Sequence, residues 1–287
     1  MDTTFNLAEL ELHHFEYQDA SIAYRVIGEG SALVLVPGWP VFGYTWRNVV
    51  PLLSKHLTCY VLDMPGLGAS KWNDKADLGW PSQAKRLVAL ITHLQLNNPS
   101  IIAQNSGGAI ARLVALELKS KLKNLILINT EVPHHRPPWI PLYQTMSKLP
   151  LATIGFRMLM KSSLFRKSSM GFKGFYYNTA LIDDPTYILP YINPLLQSSH
   201  KLKGAMRFLV GCDLSIVDNM EKSHAEIEAN ILLLWGKNDP TFPINEGRKL
   251  EKQFRQCTFV EIEKAGLMPH EEHPEQIAKE VLQFLQV

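Results

Sequence analysis

The stretch NPSIIAQNSGGAIARLVAL, residues 98–116, climbs as an apolar run to Gln104, turns through Gly107 and Gly108, and continues with helical spacing. A side chain at the tip of such a bend is displayed above the sheet that carries it, and here that side chain is Asn105. An amide nitrogen is delocalised and is not usefully deprotonated near neutral pH, so Asn105 is a poor nucleophile, yet it can both donate and accept hydrogen bonds. Groups able to move a proton stand elsewhere in the chain. They are His270, within PHEEHPE, and two acids, Glu131 and Asp239, each of which follows an apolar run.

The elements that must position these residues are legible as apolar runs. SALVLVPGW (31–39), LTCYVLDMPGLGAS (57–70), SIIAQ (100–104), NLILINTEV (124–132), ANILLLWGKNDP (229–240) and CTFVEIEKAG (257–266) read as six strands and the turns that end them. Between them lie segments of helical period such as PSQAKRLVALITHL and GRKLEKQF. Strands apolar on both faces, alternating with helices, predict a mostly parallel central sheet covered on both sides, with the chemistry at the carboxyl ends of the strands. The alternation lapses from 134 to 212, a segment with seven of the prolines and five of the nine methionines. It reads as short helices broken by prolines, an inserted cap (134–212) over a core formed by 1–133 and 213–287.

Composition bounds the rest. With 287 residues, 46% hydrophobic and 20% charged, the chain can bury a full-sized core. The three cysteines, Cys59, Cys212 and Cys257, have neither disulfide nor metal-ligand spacing. No cofactor and no metal are expected. A net charge of +2 gives no sign of a nucleic-acid partner, but the segment from His134 to Cys212 holds ten Lys or Arg against two Asp. That surplus fits an anionic group on an otherwise apolar substrate, a carrier protein or a membrane face. No apolar run is long enough to span a bilayer, and the opening residues lack the order of a signal peptide, so a cytoplasmic location is expected. Oligomeric state is left open.

These pieces, in this order, resemble the α/β-hydrolase fold across nearly the whole chain. LVLVPGWP stands where that family has its oxyanion loop, DMPGLGAS where it has D-x-x-G-x-G-x-S, AQNSGG at the nucleophile corner, and LLLWGKNDPTFP where it commonly carries an acid. The final AGLMPHEEHPEQIAKEVLQFL matches its last loop and helix. The cap and NTEV look most like the branch of haloalkane dehalogenases and epoxide hydrolases, whose nucleophile is an aspartate. Register follows from the motif's demand for small residues around the tip: Asn105 at the tip leaves Ala103, Gly107 and Gly108 at the small positions, whereas Ser106 at the tip would put Gln104 at one of them. The resemblance then implies oxyanion donors in the backbone amides of Trp39 and Ser106. A dehalogenase would carry a halide-binding tryptophan where Ser106 stands.

The same resemblance places the base at the histidine of AGH, and here Leu267 stands in AGL. His270 comes three residues later, and three extended residues reach at most about 10 Å, so a curled loop could bring it towards Asn105. As a loop residue it would instead bond Glu271 or solvent. Asp239 takes the family's commoner acid position and Glu131 that of the aspartate-nucleophile branch. Their alternatives are a turn residue in NDP and a salt bridge to Arg136. Three functions remain open: hydrolysis of a small apolar ester, epoxide or related compound, with Asn105 in the nucleophile's place or deamidated; a non-covalent lyase or isomerase using Asn105 and His270; and a non-catalytic ligand-binding homologue.

Overall fold

The computed structural model describes residues 5–287. The strands are β1 (His13–Tyr17), β2 (Ala20–Ile27), β3 (Ser31–Val36), β4 (Leu57–Asp63), β5 (Lys71–Trp72), β6 (Ser100–Gln104), β7 (Asn124–Ile128), β8 (Asn230–Gly236) and β9 (Cys257–Ile262). They form one sheet in the order β1-β2-β4-β3-β6-β7-β8-β9, with β5 paired to β2. From β4 to β9 every neighbouring pair is parallel. Strands β6 and β7 are buried at every residue, as expected of central strands with both faces covered. Two apolar clusters, one on each face, hold the helices against them.

The antiparallel edge made by β1, β2 and β5 is an addition to the six expected strands. In HHFEY the burial alternates between half-buried and exposed, so this edge lacks the continuous apolar run by which the inner strands were recognised. The run 124–132 also ends early: β7 stops at Ile128, and Asn129 turns away from the sheet with φ 34°. Its carboxamide accepts from Gly236 N (2.8 Å) and donates to Asp239 Oδ2 (2.7 Å), using the side chain to join two strand ends.

Between β7 and β8 the described residues form helices and loops with no strand. The helices include Trp139–Ser147, Ala152–Lys161, Ser163–Arg166, Leu189–Gln197, Ser199–Val210 and Leu214–Met220. Prolines mark the start of several of these pieces, as the composition suggested, although Pro194 lies inside Leu189–Gln197. Strand β6 sits between β3 and β7, so its carboxyl end points into the space beneath this insertion.

Candidate functional site

Asn105 links β6 to the helix Ser106–Leu118 with φ 50° and ψ −133°, a left-handed conformation that costs a non-glycine residue energy and persists only where the surroundings enforce it. They do so on three sides. The Asn105 amide donates to the carbonyls of Ile128 (3.1 Å) and Asn129 (3.0 Å). A Cβ on Gly107 would lie 2.7 Å from Val36 O and Pro37 O, and one on Gly108 2.3 Å from Thr130 Oγ1. Strand end and helix start are therefore packed too closely for any side chain at 107 or 108.

The carboxamide is spoken for as well. Its Oδ1 accepts from Ser106 N at 2.5 Å, and its Nδ2 donates to Trp39 O at 3.3 Å. The Trp39 amide donates to Ser106 Oγ at 2.7 Å. Both backbone donors expected to stabilise an oxyanion thus lie at the site, each satisfied by a side chain of the corner itself. The indole of Trp39 donates to Ala205 O of the insertion at 2.8 Å, which removes it as a halide ligand.

Above the corner is a cavity of about 450 Å³. Asn105, Ser106, Trp39 and Glu131 form its floor; Phe156, Met160, Phe172, Tyr176, Tyr191 and other side chains of the insertion form its roof. Leu267 lies in the wall at the place where an imidazole was sought, and among the described residues no histidine lines the cavity. Backbone bonds from Leu267 N to Gly174 O (3.3 Å) and from Met268 N to Phe175 O (3.0 Å) join this final loop to the insertion.

His270 does not reach Asn105, which corrects the expectation of a curled loop. Its ring is fully buried outside the cavity, packed on Trp46 with centroids 4.6 Å apart. Nε2 lies 2.7 Å from Thr45 Oγ1, and that hydroxyl is also 2.7 Å from Glu271 Oε1. The hydroxyl has one hydrogen and the carboxylate can only accept, so the ring must carry its proton on Nε2. Burial pulls the imidazole down to about 4, so it stays neutral. His273 bonds Lys264 O at 3.0 Å near the surface.

The two acids are separated by the structure. Glu131 lies in the cavity floor, where its Oε2 accepts from Thr130 Oγ1 at 3.0 Å. Burial pushes its carboxyl up, while the fully buried Arg112 nearby acts in the opposite sense. Arg136 is not its partner, since that side chain pairs with Asp218. Asp239 sits behind the wall, accepting from Asn129 Nδ2 and from Thr241 N, each at 2.7 Å. Burial pushes it up to about 7 despite these bonds.

A carboxyl raised in the folded state holds its proton where the unfolded chain has lost it, so its contribution to stability fades as pH rises from about 4 to about 7. Asn at that position cannot titrate. The stability of Asp239→Asn relative to the parent should therefore climb across this window, with a slope approaching ~1.4 kcal/mol per pH unit. Urea unfolding of both proteins at pH 5 and pH 7.5 measures it; parallel profiles would show that Asp239 is ionised throughout.

What the sequence did not reveal is the group that fastens roof to core. The buried carboxylate of Glu271 accepts from Thr45, from Tyr176 (2.8 Å), from Tyr191, and from Arg47 at 3.3 Å. Arg47 is itself held between the rings of Tyr44 (4.4 Å) and Tyr187 (4.8 Å). Glu272 adds Asn178 N (3.0 Å) and Gly266 N (2.7 Å). The hint in the chain was a pair of acids, Glu271 and Glu272, one residue beyond Pro269 in the last loop.

Among curated proteins the chain is 23% identical over 254 residues to an uncharacterised hydrolase of Bacillus subtilis (strain 168), covering 88% of this chain and 89% of that protein. It is 29% identical over 123 residues to the soluble epoxide hydrolase of Corynebacterium sp. (strain C12), covering 42% of each. The structure of epoxide hydrolase CorEH without ligand superposes with a TM-score of 0.80 at 19% identity, covering 97% of this chain and 99% of that one, a likeness of fold. The profile of the alpha/beta hydrolase family matches residues 33–280, which takes in the sheet from β3 to β9, the corner at Asn105 and the whole insertion. The chain belongs to the alpha/beta hydrolase family.

Proposed function

We propose that the cavity holds a small apolar ligand and that, with asparagine at 105, the protein binds this ligand without covalent turnover. One observation carries the reading: the cavity floor offers a carboxamide whose oxygen and nitrogen are both engaged, and the wall offers no imidazole to activate water or a substrate. Size and lining agree with a ligand site, since pockets of a few hundred Å³ walled by aromatic and aliphatic side chains with a few polar groups are typical of small-molecule binding. The asparagine also suits its surroundings as an amide: Trp39 O faces its nitrogen, a place where a carboxylate oxygen would be repelled. Roof methionines such as Met160 and Met206 let the pocket adapt to ligand shape.

A second reading, hydrolysis of a small apolar ester or epoxide, or proton transfer in a lyase or isomerase, draws on Glu131. A carboxyl in the cavity floor with its proton affinity raised by burial is a candidate base. The relatives named above are hydrolases in support of the same reading. A panel of nitrophenyl esters, epoxides and haloalkanes separates the two. Thermal shift by apolar members of the panel, no product release, and an intact carboxamide at 105 by peptide mass are expected. Turnover by the unmodified protein that falls in Glu131→Gln would overturn binding without chemistry, as would turnover that tracks conversion of Asn105 to aspartate.

A further inference from the structure

The outer surface of the insertion has a character that the cavity beneath it does not explain. From Glu131 to Asp183 the chain has no acidic residue between those two, yet it carries Arg136, Lys148, Arg157, Lys161, Arg166, Lys167 and Lys173. Within this stretch the helix Ala152–Lys161 is apolar on both sides. Its inner face sends Phe156 and Met160 into the cavity. Its outer face, at the helical spacing 151, 154, 158, presents Leu151, Ile154 and Met158, which are 74%, 53% and 70% exposed, and Leu164 follows at 83%. Gly155 faces open space, with nothing within 4 Å of where a Cβ would lie. Large aliphatic side chains this exposed and this close together are unusual on a protein surface that meets only water.

Three of the charges around this face, Lys148, Lys161 and Lys167, are exposed, whereas Arg157 and Arg166 are half-buried and hydrogen-bonded within the insertion. Lys148 and Lys161 have no ion-pair partner among the described residues, and Lys167 pairs only with the exposed Asp183. Met170 and Tyr177 of the same insertion are exposed and also line the cavity, so the pocket reaches the surface at apolar side chains.

We propose that this face docks on the surface of an anionic lipid bilayer, with the helix Ala152–Lys161 lying in the plane of the interface and Leu151, Ile154, Met158 and Leu164 reaching below the headgroups. A surface built from a segment with seven Lys or Arg and no acid suits an anionic partner, and its exposed aliphatic side chains suit one that also takes up apolar groups; an anionic bilayer is both at once. A second copy of the chain fits poorly, because an isologous contact would set this basic surface against itself. Among the described residues no helix is long and apolar enough to cross a membrane, and the docking proposed is peripheral. Its consequence is that the pocket mouth faces the lipid, the phase in which an apolar ligand concentrates. This holds whether or not the pocket turns its ligand over.

Co-sedimentation of the full chain with large unilamellar vesicles tests it. Partitioning onto vesicles of phosphatidylcholine with about 30% phosphatidylglycerol should exceed that onto phosphatidylcholine alone by roughly tenfold or more at low salt, and should fall as salt is added. Lys148→Gln with Lys161→Gln should lose about tenfold or more of it. The triple change Leu151→Glu, Met158→Glu, Leu164→Glu, made at exposed positions, should abolish binding while leaving the melting temperature unchanged. Equal partitioning onto both vesicle types, or none onto either, overturns the proposal. So does a concentration-dependent dimer in sedimentation velocity that the triple change dissociates while vesicle binding is absent.

Discussion

Asn105→Asp combined with Leu267→His is expected to hydrolyse activated esters or epoxides at a rate exceeding the parent and either single variant by about 10²-fold or more, the usual contribution of a positioned base. The geometry says why both changes are needed. A carboxylate at 105 keeps one oxygen on Ser106 N, but its second oxygen, placed where Nδ2 now lies 3.3 Å from Trp39 O, is repelled and turns towards the cavity. That supplies a nucleophile with nothing to activate the water that must release its product. Leu267 is a buried wall residue, and Asn238 N bonds Ala265 O at 2.9 Å, so the loop bearing Asp239 runs beside the one bearing position 267. Asp239, raised by burial, gains in an imidazole the cationic neighbour it lacks. Steady-state assays of the parent, both singles and the double decide the matter. A double variant that folds and binds the panel but turns over no faster than its parents would show that the corner cannot be rebuilt by two residues.

Removing the carboxylate that fastens roof to core should have the largest effect on stability. Glu271→Ala leaves Arg47, a nearly buried guanidinium, without its counter-charge, and strips an acceptor from Thr45, Tyr176 and Tyr191. Breaking a buried pair from one side typically costs about 3–5 kcal/mol. For a chain of this size that is a fall in melting temperature on the order of 10 °C. Removing both charges is milder, because no isolated ion remains: Glu271→Leu with Arg47→Met should recover much of the loss. Thermal unfolding followed by circular dichroism measures all three proteins. A loss below about 1 kcal/mol in Glu271→Ala would mean that the cluster is hydrated and contributes like a surface pair.

The contrast between these two sites shows what the sequence could convey. The corner was legible because its constraints are local: an apolar run, two glycines and a helical period within about twenty residues fix both the bend and the register of Asn105. The inner parallel strands β3, β6, β7 and β8 were legible because burial on both faces leaves an unbroken apolar run. In the antiparallel part of the sheet β1 alternates half-buried and exposed residues and β5 is only two residues long, while β2, buried at its first five positions, includes the polar Ser21 and Arg25 and so lacks an unbroken apolar run. The Glu271 cluster was not legible at all, since its partners Arg47, Tyr176 and Tyr191 are 224, 95 and 80 residues away in the chain. His270 was misplaced for the same reason. Its type invited a proton-transfer role, while its orientation is set by Thr45 and Trp46, far upstream. Likewise nothing in NTEV or NDP distinguishes Glu131 in the floor from Asp239 behind it.

The short strip in which Leu267 and Met268 pair with Gly174 and Phe175 gives the leucine at 267 a meaning beyond that of a wall residue. That residue belongs as much to the lid as to the sheet beneath, since its main chain is stitched to both. A lid that peeled away along this seam would leave two amides and two carbonyls bare and would drag position 267 with it.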